Sequence, residues 1–163
     1  MKNYLKLQLA SVTTAAIAMI LLPSFSLKKD EPILLKVIFV THTNNDDKDH
    51  DTCIFVDVKT ADGQTQIAHV SNADCGPSDG TQYKDDSDHQ FELQCDGVGM
   101  AKSACKHFVV NIHQETHGGA GHDTWKFNAK VILQFSDHTN MVAEKGGITL
   151  VNNNASAPEF SAP

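Results

Sequence analysis

A chain of 163 residues with 40% hydrophobic side chains, a formal charge of −7 and four cysteines is long enough for one domain with a core of its own. Its acidic balance excludes nucleic acid and anionic membrane as electrostatic partners and is compatible with cation binding.

The first element is a targeting segment. Lys2 and Lys6 form a positive start, an apolar stretch runs from Ala15 to Leu22, and Pro23 precedes Ser24-Phe25-Ser26. These are the three parts of a signal peptide cut after Ser26. A spanning helix needs roughly 18 or more apolar residues, and Gln8, Ser11, Thr13 and Thr14 interrupt this one. The expectation is residues 1–26 as a removed signal peptide, a secreted (extracellular or periplasmic) mature chain from Leu27, and no transmembrane anchor after cleavage. The mature charge becomes −9.

After the signal, helical periodicity gives way to short β-branched and aromatic runs divided by Asp, Asn, Gly and Ser clusters. Residues 33–41 read as a nearly continuous, central strand. Residues 52–59 alternate, with Ile54, Val56 and Val58 on one face and Cys53, Phe55 and Asp57 on the other. A turn at 61–64 returns the chain into 65–70. Residues 72–88 are polar and turn-rich, 89–95 make a fourth strand, and 96–102 form a Gly-rich loop. Residues 107–113 point Phe108, Val110 and Ile112 inward. The longest strand is 124–135, with Trp125, Phe127, Ala129, Val131, Leu133 and Phe135 on one face, which makes Trp125 a core residue. The strands 141–143 and 148–151 follow, and 152–163 read as a flexible C-terminal tail. About eight strands with no helices between them give an all-β fold, an antiparallel β-sandwich over 27–151, with a closed barrel as the alternative.

In an oxidising compartment the four cysteines, Cys53, Cys75, Cys95 and Cys105, favour two disulfides over a zinc site, since no CxxC spacing is present. Three pairings exist on paper. Neighbourhood favours Cys95 with Cys105 and Cys53 with Cys75.

One segment carries a charge density that needs explaining. In Thr41-His42-Thr43-Asn44-Asn45-Asp46-Asp47-Lys48-Asp49-His50-Asp51-Thr52, four aspartates fall within six residues. Packed carboxylates repel unless solvated or neutralised, and Ca²⁺ collects such oxygen ligands from flexible loops. Thr52 stands where an EF-hand needs Gly, and no Glu closes the loop, so an EF-hand is excluded. A solvated acidic turn is the plain alternative. The triplet His50-Asp51-Thr52 is echoed by His122-Asp123-Thr124, each opening a strand. If both loops leave the same end of the sandwich, Asp47, Asp49, Asp51 and Asp123 surround one ion. Asp85-Asp86-Ser87-Asp88 is a further acidic turn. His42, His50, His117 and His122 fall in or beside the same loops, which leaves open a metal-dependent hydrolase. No HExxH or phosphate loop is present.

Asp49-His50-Asp51-Thr52-Cys53-Ile54-Phe55-Val56, together with Asp123-Thr124-Trp125-Lys126-Phe127 and Val131-Ile132-Leu133, resembles the start and the late Trp-bearing strand of PLAT (lipoxygenase-homology) domains. The resemblance implies an eight-stranded sandwich, related in shape to C2 domains, that binds Ca²⁺ in its end loops and docks onto lipid or protein. The cysteines and the polar segment 72–88 depart from that pattern. The reading is a secreted, non-enzymatic binding module, assisted by Ca²⁺ and contacting a protein, lipid or glycan through its loop end. The alternatives are the hydrolase and a structural envelope or matrix protein.

Overall fold

The computed structural model describes residues 30–74, 82–116, 124–151 and 155–163. The expected signal segment, 1–26, lies outside the described residues. Among the described residues ten strands follow in order: β1 (Leu34–Asp46), β2 (Thr52–Lys59), β3 (Gln66–Ala73), β4 (Asp88–Glu92), β5 (Gln94–Cys95), β6 (Val109–Thr116), β7 (Thr124–Phe135), β8 (Asn140–Val151), β9 (Ala155–Ser156) and β10 (Phe160–Ser161). A 3₁₀ turn at Lys102–Cys105 separates β5 from β6. Among the described residues no helix is long and apolar enough to cross a membrane.

The strands form two antiparallel sheets, packed as the expected sandwich. One has the order β4-β1-β7-β8; the other has β10-β6-β2-β3-β5, with β9 also on β6. The pleat turns alternate side chains to opposite faces. In β7 this buries Trp125, Phe127, Ala129, Val131, Leu133 and Phe135. They meet Ile54, Val56 and Val58 of β2 and Phe108, Val110 and Ile112 from β6 and its approach. Each large apolar side chain so buried contributes about 1.5–3 kcal/mol.

The strand expected at 89–95 divides at Leu93 into β4, paired with β1, and β5, paired with β3 in the other sheet, and three further elements differ from the sequence reading through a long-range partner. Strand β1 continues past Thr41 to Asp46 because polar residues there find mates on β7. Asn44 accepts from the Asn128 amide at 3.2 Å, and Asp46 pairs with Lys126 at 2.8 Å. Residues 140–151 form one strand rather than two, because Gly146 and Gly147 make a bulge opposite Asn128. Gly147 has φ +65°, the left-handed region, and donates its N–H to Asn128 Oδ1 at 2.9 Å. The segment expected as a loose tail instead supplies β9 and β10, both paired with β6. Ala157, Phe160 and Ala162 are buried there, since apolar side chains spaced along 157–162 close the open edge of the second sheet.

Candidate binding site at the loop end

The register sets which loops share an end. Thr52 lies opposite Thr116 and Asp46 opposite Lys126, so the strands flanking loops 47–51 and 117–123 end on the same side.

At the centre of that end lies Lys48, fully buried. Its ammonium donates to the carbonyl oxygens of Thr52 at 2.8 Å, Asp74 at 2.9 Å and Asp49 at 3.0 Å. It also sits 4.9 Å from the centre of the Tyr83 ring. The Lys48 and Tyr83 backbones exchange two hydrogen bonds of 3.0 Å, tying the aspartate loop to the chain ahead of β4. Burying an ammonium costs several kcal/mol unless its protons are satisfied. Here three carbonyls and an aromatic face do so, and charge-assisted bonds are the stronger kind.

Tyr83 anchors an aromatic column. His89 stacks on it at 3.7 Å between ring centres, Trp125 meets it edge-on at 5.7 Å, and Phe127 stacks on Trp125 at 3.6 Å. The Tyr83 hydroxyl donates to the Asp74 carboxylate. Burial, with that carboxylate second, pushes the phenol above its ordinary range. Burial likewise holds the His89 imidazole below its ordinary value. Trp125 Nε1 donates to Thr43 Oγ1 at 3.1 Å inside the core.

The aspartates are distributed around this frame. Asp47 accepts from the Gln82 amide. Asp49 is exposed and turns its carbonyl inward, and Asp51 is half-buried. Asp123, His117 and His122 lie outside the described residues. Among the described residues no three His, Cys, Asp or Glu side chains group to hold a metal. Of the four carboxylates expected to take calcium, the described residues include Asp47, Asp49 and Asp51, while the inward carbonyls of Asp49, Thr52 and Asp74 serve Lys48. The sequence reading missed Lys48 and Tyr83. The available signal was the single cation at the middle of the aspartate run.

Beside the loop end, the outer face of the four-stranded sheet carries a groove of about 460 Å³. His42 and Asp88 line one end, Asn128 the middle, and Lys130 and Glu144 the other end, with Val40 alongside. His42 Nδ1 lies 2.9 Å from Asp88 Oδ1 and its Nε2 lies 3.6 Å from Asp86 Oδ1. Lys130 and Glu144 pair at 3.3 Å. Asn128 is held from both sides, by Asn44 and by Gly147. The Gly146–Gly147 bulge keeps this face clear, since a Cβ at Gly146 would stand 3.3 Å from Asn128 Oδ1.

The cysteines correct one expected disulfide. Cys95 and Cys105 are free thiols, with Cys105 buried and its thiol pushed up to about 11 by that burial. Each packs against the apolar core, an environment that suits the neutral thiol. Cys53 is buried and disulfide-bonded. Cys75 lies outside the described residues.

No family model matches the chain. A search of curated proteins finds no similar sequence. Among solved structures, the chain is similar to the alpha toxin from Clostridium absonum, with 21% identity and a TM-score of 0.42. The match covers 79% of this chain and 34% of the toxin, so the chain spans about a third of that structure's length.

Proposed function

We propose that this chain is a non-enzymatic binding module that holds a hydroxyl-rich ligand of the glycan class in the groove beside its loop end. The observation that carries the reading is the groove's lining of both donors and acceptors. Sugar hydroxyls both donate and accept, so a site for them needs both kinds of group at set positions. His42, Asn128 and Lys130 supply donors; Asp88, Glu144 and the Asn128 carbonyl supply acceptors. Each is held by a partner on a neighbouring strand. The opposite charges also balance within the groove, which suits a neutral ligand over an ion. A volume of about 460 Å³ falls within the range of small-ligand sites.

The test is a glycan microarray probed with the labelled mature chain, followed by calorimetry on any retained sugar. Lys130→Ala and Glu144→Ala are each expected to weaken binding about tenfold, the effect of losing one good hydrogen bond of about 1.4 kcal/mol. Failure to retain any glycan, or equal affinity in both variants and wild type, overturns the reading. The proposal involves no calcium step, and Asp47, Asp49 and Asp51 do not line the groove.

A further inference from the structure

We infer that Lys48 is the loop end's own cation: its ammonium fills an oxygen-lined site and orders the acidic loop as a bound metal ion would. Its support is the arrangement of acceptors around the ammonium. Three carbonyl oxygens, from Asp49, Thr52 and Asp74, converge on one nitrogen within 3.0 Å. They come from the aspartate loop, the first residue of β2 and the residue that follows β3, and Thr52 N–H also donates to the Asp49 carbonyl at 3.2 Å. The Tyr83 ring closes another side. Convergent carbonyls repel one another, so an arrangement of this kind requires a positive charge at its centre.

A tethered ammonium has one consequence that a metal ion lacks. It is supplied by the fold at unit stoichiometry, and a chelator cannot remove it. The acidic loop of this chain is thus built without a metal, whatever the groove binds. In Lys48→Ala the site becomes a cavity lined by oxygens and one aromatic face. The missing fragment is three carbons ending in an ammonium, which is propylammonium.

The experiment follows thermal unfolding of the full mature chain through its single tryptophan, which lies in the aromatic column next to Tyr83. Wild type is compared with Lys48→Ala and Lys48→Met in EDTA, in millimolar Ca²⁺ and in propylammonium chloride. Wild type is expected to keep its Tm within about 1 °C in all three solutions, an interval below the shift that a stabilising ligand in excess produces. Lys48→Ala is expected to melt lower and to recover saturably with propylammonium. Lys48→Met, whose side chain fills the space without a charge, is expected to melt lower and not to recover. A saturable rise of wild type with Ca²⁺ that EDTA reverses overturns the inference. So does a Lys48→Ala chain that melts like wild type, or one that no amine restores. If Lys48→Ala does not fold in buffer, refolding it with and without propylammonium decides the same question, and recovery in neither overturns it.

Discussion

Replacing Thr43 by Val exchanges a hydroxyl for a methyl group of nearly the same shape at a position with no solvent exposure. In the native chain Thr43 Oγ1 accepts from Trp125 Nε1 at 3.1 Å, and Trp125 is itself fully buried. The variant leaves the indole N–H in apolar surroundings without an acceptor, at a cost of about 1–3 kcal/mol. For a domain of this size each kcal/mol moves Tm by roughly 3–5 °C, so the expected fall is about 3–15 °C. Thr43→Ser keeps the acceptor and loses one methyl group, worth about 0.8 kcal/mol, so it is expected to fall less than Thr43→Val. In a Trp125→Phe background the donor is already gone, and Thr43→Val should then cost little. Thermal melts by circular dichroism serve all of these chains, since the Trp125→Phe ones lack the tryptophan. A Thr43→Val chain melting within about 1 °C of wild type would refute the reasoning, because the expected loss lies well outside that interval. Equal losses in the two backgrounds would refute it as well.

Gly147→Ala meets no atom within 4 Å, so its penalty is purely conformational. At φ +65° that penalty is about 1–2 kcal/mol, read as a lower Tm, and Gly147→Asn should lose less because Asn tolerates the left-handed region. Equal losses for Ala and Asn would count against the bulge geometry. The second expectation concerns pH. His89, held below its ordinary value by burial, resists a proton that the unfolded chain accepts. Its contribution to stability is complete above about pH 6.5 and is lost as pH falls through its lowered folded-state value. Tm measured from neutral pH down to about pH 5 should therefore fall more steeply for wild type than for His89→Gln, and parallel slopes would refute this assignment.

Much of the fold was legible because a strand's facing is a local property. The alternation in Thr124–Phe135 and the positions of Ile54, Val56, Val58, Phe108, Val110 and Ile112 needed only the period of the pleat. The site was less legible. Within the aspartate run, the side chain that meets the inward carbonyls is the lysine between the carboxylates. Nothing local distinguishes a lysine that snorkels to water from one that is drawn inside.

The sequence by itself determined an all-β chain, the faces of its main strands and the acidic loop end, since each depends on residue type and spacing within one segment. Only the tertiary structure decided that β1 runs on to Asp46, that residues 140–151 are continuous through a bulge, and that the last residues pair with β6. It also decided that the carbonyls of Thr52 and Asp74 meet at Lys48. Each of those outcomes depends on hydrogen-bond partners distant in sequence, such as Asn44 with Asn128 or Thr43 with Trp125. A polar segment has no pattern of its own to announce a partner, because its place is set by whichever donor or acceptor the fold brings to it.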